Sequence, residues 1–134
     1  MPGYLTTHVL DTARGRPAEG MEVVLFRLEN GQRTELARLK TNSDGRTDSQ
    51  ILPAADFATG TYELEFHAGA WMDTTGVAPE SPRFLDVIPI RFGIAERSGP
   101  RLKHAAARIA HAASGLGRKR ARIATRLRIT HTGN

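Results

Sequence analysis

Histidine and arginine are the residue types here that could do acid–base or anion chemistry. The chain has five histidines among 134 residues, and Lys plus Arg number 19. His8 lies between Thr7 and Val9, and Arg46 follows Asp44-Gly45 in a polar stretch. An imidazole can move a proton near neutral pH. A guanidinium can hold an anion through several donors at once. Taken singly, a histidine in a strand is usually structural or exposed, and an arginine in a polar turn is usually a solvated charge. Asp11 and Asp48 could orient these two groups or cap turns, and the turn role fits Asp48 better. Arg91 could reach an anion or pair with Asp86. His67 shares a face with Glu63 and Glu65 and is expected at the surface.

Several chemistries are excluded. There is no cysteine, so thiol nucleophiles, disulfides and thiolate metal sites are absent. His104 and His111 have no nearby carboxylate to complete a zinc set. No serine elbow and no phosphate-binding glycine loop occurs.

The elements that must position His8 and Arg46 read as strands and turns. Tyr4–Leu10 is rich in Thr, Val and Leu. Thr12–Gly20 holds Gly15, Pro17 and Gly20 and reads as a loop. Met21–Leu28 is apolar at nearly every position, which fits a buried strand or a short helix; its Val-Val-x-Phe core favours the strand. Asn30-Gly31 is a hairpin signal. Thr34–Lys40 follows, and Thr41–Asp48 is turn-rich, tightest at Asp44-Gly45. Thr61–His67 alternates, with Tyr62, Leu64 and Phe66 on one face. Ala70–Gly76 fits one helical turn. Phe84–Phe92 is apolar enough for a strand, and Pro89 assigns it to an edge or a bulge. Short strands punctuated by turns indicate an all-β sandwich.

The character changes at Arg97. Residues 1–96 hold nine basic and fourteen acidic side chains, a net charge of −5; residues 97–134 hold ten basic and none acidic, or +10. This tail has no aromatic residue. Arg101–Ala113 is expected to be helical, with Leu102, Ala105, Ala106, Ile109, Ala112 and Ala113 on one face. Arg118–Arg122 is a basic block, and Arg126–Thr130 alternates weakly, like a strand. The N-terminus lacks the basic and apolar regions of a signal peptide. No apolar run nears the roughly 20 residues of a membrane helix. A cytoplasmic, soluble protein is the expectation.

The run Leu5-Thr6-Thr7-His8-Val9-Leu10-Asp11-Thr12 resembles the N-terminal signature of 5-hydroxyisourate hydrolases, and Gly15–Met21 continues it in register. Asp44-Gly45-Arg46-Thr47-Asp48 is similar to the family's second motif. Gly60–His67 and Phe84–Ile94 match two further segments, so four matches fall in order over about 95 residues. The resemblance implies a transthyretin-like, two-sheet Greek-key sandwich. It also implies a homotetramer with active sites in clefts between subunits. The implied reaction is hydrolysis of 5-hydroxyisourate, the product of urate oxidation, without metal or organic cofactor. It assigns His8 as the base or part of it, and Arg46 as the group that orients substrate and stabilises charge.

Two family motifs are not found. A His-Tyr-His-Val-Pro-Leu-Leu segment should follow Arg91-Phe92-Gly93-Ile94, and Tyr-Arg-Gly-Ser should end the chain. Neither is present, and no tyrosine follows Tyr62. The expectation is a sandwich over 1–96 lacking its last two strands, with a basic tail over 97–134 that is divergent, fused or read out of frame. The composition favours the last: codons for His104–His111, shifted by one nucleotide, can encode a Pro-Leu-Leu segment. Such a truncated sandwich should be poorly soluble or partly unfolded, with unpaired strand edges. An alternative function is a binding module whose basic arm meets nucleic acid or another polyanion. The lack of stacking aromatics and of any recognised module makes nucleic acid the weaker partner.

Overall fold

A computed structural model describes residues 3–52, 54–76, 81–83, 86–95, 103–112 and 121–131. Its described elements are eight strands, a single turn of 3₁₀ helix at Ala54–Asp56 and one short α-helix. Strand β1 (Gly3–Asp11) alternates strictly between buried and half-buried positions. Strand β2 (Arg16–Pro17) is a two-residue pairing within the expected loop. Strand β3 (Glu22–Glu29) buries Val23, Val24, Leu25 and Phe26 in succession, as its apolar run required. Asn30 and Gly31 both take positive φ, 53° and 76°, and turn the chain into β4 (Gln32–Lys40). Two successive positive φ values match the twist of a two-residue hairpin.

Strand β5 (Gly60–His67) buries Tyr62, Leu64 and Phe66. Helix α1 (Ala68–Asp73) starts two residues before the expected helical turn. It seats Trp71 in the core, where the indole Nε1 donates to the Glu19 carbonyl at 2.7 Å. Strand β6 (Val87–Ile94) carries Pro89 opposite Glu65 and forms the outer edge of its sheet. Proline lacks an N–H to donate, so an edge is where it fits. Phe84 and Leu85 of the expected strand lie outside the described residues.

The C-terminal segment departs from expectation. Residues assigned to a helix form strand β7 (Lys103–Ala112), and Ala121–His131 forms β8. The sandwich therefore does not lack two strands: one sheet runs β2-β1-β8-β7 and the other β4-β3-β5-β6. Strand β8 pairs antiparallel with β1 over its whole length, from Gly3 opposite His131 to Asp11 opposite Ile123. The physical reason lies in β8, where Ile123, Thr125, Leu127 and Ile129 are buried while Arg126 and Arg128 are exposed. That period of two commits the segment to a half-buried sheet. Once β8 is in place, its free edge can satisfy the backbone of β7, which outweighs the helix preference of alanine.

The core lies between the sheets. Leu5 and Val9 of β1 with Ile123, Leu127 and Ile129 of β8 meet Val23, Leu25, Leu64, Phe66, Ile88 and Ile94 of the other sheet. No helix of the described residues is long and apolar enough to cross a membrane.

Candidate active site

The alternation of β1 decides which of its side chains face away from the core. Thr7, Val9 and Asp11 point inward and are buried, so His8 points outward and is half-buried. Asp11 is thereby removed from the histidine. Its Oδ1 accepts from the backbone N–H groups of Ala13 (3.1 Å) and Arg14 (3.2 Å), so it caps a turn.

Arg46 reaches the same place because its loop is fastened to β1. Asn42 organises the loop: its Oδ1 accepts from Asp44 N–H at 2.9 Å and Arg46 N–H at 3.1 Å. Its carbonyl accepts from Gly45 N–H at 2.9 Å, and its own N–H donates to the Arg46 carbonyl at 2.6 Å. The Asn42 amide also donates to Asp48 at 3.0 Å, which places Asp48 in the turn and not on the guanidinium. Val9 N–H then donates to the Gly45 carbonyl at 2.8 Å. Gly45 has φ +77°, and a Cβ there would lie 2.3 Å from the Val9 carbonyl oxygen. Only glycine allows this close approach without strain.

The third side is β8. Arg126 stands directly opposite His8 in the ladder. Below them Thr7 and Thr125 join through their hydroxyls at 2.8 Å, and Thr7 also donates to the Arg126 carbonyl at 3.2 Å. The result is a hollow of about 220 Å³ lined by His8, Leu10, Arg46, Ala124, Thr125 and Arg126. Sequence reasoning found His8 and Arg46 but passed over Arg126. The weak alternation of Arg126–Thr130 was the available signal.

The surroundings tune the imidazole. Burial is the largest influence and pushes the pKa of His8 below its ordinary 6.5; the nearby cations Arg46 and, more weakly, Arg126 push the same way. A backbone hydrogen bond and the carboxylate of Asp44 oppose them. The net effect keeps the imidazole neutral at pH 7, as a proton acceptor must be.

A larger hollow of about 410 Å³ lies on the other sheet, beside the Asn30-Gly31 turn. Its cations are already engaged: Arg33 meets Glu65 at 2.6 Å and Arg91 meets Glu63 at 3.9 Å. It has no imidazole, so size here does not mark chemistry. Arg91 therefore pairs with Glu63 and not with Asp86, which meets Arg83 instead. His67 is half-covered between Glu22 (4.0 Å) and Glu65 (3.7 Å), on the sheet away from His8. His104 lies on β7 opposite Thr130 and not on a helix. Among the described residues no cluster of three His, Cys, Asp or Glu could hold a metal ion.

Comparison with known proteins adds to this geometry. A family model described as "HIUase/Transthyretin family" matches residues 5–105. The chain is 54% identical over 94 residues to 5-hydroxyisourate hydrolase 2 of Rhizobium meliloti (strain 1021), covering 70% of this chain and 78% of that protein. The solved 5-hydroxyisourate hydrolase of Klebsiella pneumoniae superposes with a TM-score of 0.57 at 36% identity, over 72% of this chain and 81% of that one. A solved (S)-allantoin synthase superposes with a TM-score of 0.64 at 40% identity; the match covers 69% of this chain but only 35% of that longer one.

Proposed function

The chain belongs to the HIUase/transthyretin family, and from that premise we propose that it hydrolyses 5-hydroxyisourate to 2-oxo-4-hydroxy-4-carboxy-5-ureidoimidazoline in urate breakdown. The observation that carries this reading is the meeting of His8 and Arg46 in one small hollow, with the imidazole held neutral. Neutral His8 takes a proton from water as the oxygen attacks the ring acyl carbon. The carbonyl becomes an oxyanion, which Arg46 stabilises through its charge and donors. Collapse of that intermediate breaks the C–N bond, and the imidazolium returns its proton to the departing nitrogen. No redox or cofactor step is needed.

We place the working form as a cytoplasmic homotetramer, with this hollow opening into a cleft between subunits. The support is the family relation and the position of His8 on an open sheet face. The small hollow suits a single planar ring better than a polymer. The test follows the ultraviolet decay of freshly made 5-hydroxyisourate with and without protein. Acceleration that saturates with substrate is expected. A folded sample that leaves the spontaneous rate unchanged would overturn the assignment.

A further inference from the structure

We propose that Arg126 is a second anion-binding group of this site, which with Arg46 selects for an anionic planar ring; this rests on the hydrolase reading above. Strand β8 fixes Arg126 opposite His8, and the buried neighbours Thr125 and Leu127 force it outward onto the histidine's face. It lines the same hollow as His8 and Arg46.

The charge pattern of that face suits an anionic ligand. Elsewhere Arg14, Arg27, Arg33, Arg38, Arg83 and Arg91 each reach a carboxylate. Arg16, Arg46, Arg126 and Arg128 have no ion pair among the described residues, and of these Arg46 and Arg126 line the hollow with His8. The outward positions described on β1 and β8 are Tyr4, Thr6, His8, Leu10, Ala124, Arg126 and Arg128, with no acid among them. Arg126 stands across the ladder from His8, and Arg46 lines the same hollow, so two guanidinium groups converge beside the imidazole. Two like charges gathered in one hollow repel each other. A bound anion relieves that repulsion, and two guanidinium groups offer more directional donors than one. The cation also disfavours protonation of His8. Arg126 therefore does two things: it grips substrate, and it adds a smaller push, after burial and Arg46, against protonation of His8.

The experiment compares the full-length chain with Arg126→Lys and Arg126→Gln. Calorimetry with sodium urate, a planar anionic relative of the substrate, reads binding. NMR titration of the His8 imidazole, identified by its loss in His8→Asn, reads the electrostatic effect. A thermal melt confirms that the exposed substitution leaves the fold intact. Arg126→Gln should weaken urate roughly tenfold and move the His8 midpoint upward. Arg126→Lys should keep the midpoint but bind urate less tightly, because it retains charge and loses the planar fork. Unchanged urate affinity and an unchanged His8 midpoint in Arg126→Gln would overturn the proposal. Hydrolysis is read separately. Failure of the unmodified chain to speed 5-hydroxyisourate decay would sink the hydrolase reading, while urate and His8 titrations would still decide the role of Arg126.

Discussion

At His8, burial and two neighbouring cations act in the same direction, and with His8 as the proposed base that predicts the pH behaviour of the reaction. A base works in its deprotonated form. The rate should therefore be flat near neutrality and fall as pH drops through a midpoint below 6.5, the ordinary value for the group. Removing Arg46 as Arg46→Gln should move that acid limb upward, in a pH series of kcat/KM. The sign for stability is parallel. The folded pKa lies below the unfolded one, so the unfolded chain binds the proton more tightly. Stability is then lost as pH falls below about 6.5 towards the folded value. His8→Asn should lower kcat by about 10²–10⁴-fold, the usual contribution of a general base, with the melting temperature little changed. Gly45 carries a different kind of constraint. Gly45→Ala forces a Cβ against the Val9 carbonyl at positive φ, and should cost roughly 1–3 kcal/mol in denaturant unfolding while raising KM through the displaced Arg46.

At the scale of the element, the strands carrying His8 and Arg126 were not equally legible. Strand β1 was legible from its Thr, Val and Leu content, and the structure's burial pattern supplied the outward position of His8. Strand β6 was readable as an edge because Pro89 cannot donate. Strand β7 was misread because alanine at many positions satisfies a helical face as readily as a strand face. Its partner decides the matter. Ten residues of β7 pair with β8, and an isolated alanine face offers little apolar area to bury in exchange. Strand β8 carries the same lesson at a position proposed to bind substrate, since Arg126 gains its meaning only from the residue across the ladder. Deleting residues 97–134 should therefore be severe. Ile123, Leu127 and Ile129 each stabilise by about 1.5–3 kcal/mol when buried, so their joint loss rivals the whole stability of a domain. Loss of a cooperative melt in the shortened chain is the expected outcome, and an unchanged transition would show that β8 contributes nothing to the core.

At the scale of the molecule, charge is divided between the segments of the chain but not between separate bodies. The acidic first 96 residues and the basic remainder share one sandwich, because β8 lies against β1 and faces the opposite sheet. The acidic sheet face around Glu22, Glu63 and Glu65 is largely self-neutralised by Arg33, Arg38 and Arg91. The His8 face is not. An out-of-frame origin for residues 97–134 makes a definite prediction at the nucleotide level. Another frame of the coding DNA should then encode the Pro-Leu-Leu and Tyr-Arg-Gly-Ser segments. Their absence from both other frames would leave β7 and β8 as the native strands of this protein.

The sequence alone determined the family and the sandwich, because four motifs in order and period-two burial are local properties of the chain. It also determined His8 and Arg46 as candidates, since each sits inside a recognisable motif. Tertiary structure decided that both share one hollow, through Gly45 bonded to Val9, a contact between residues far apart in the chain. It decided that Asp11 faces inward and that Asp48 serves the loop. It alone revealed Arg126, because cross-strand register joins position 8 to position 126 and nothing local in either segment encodes that pairing.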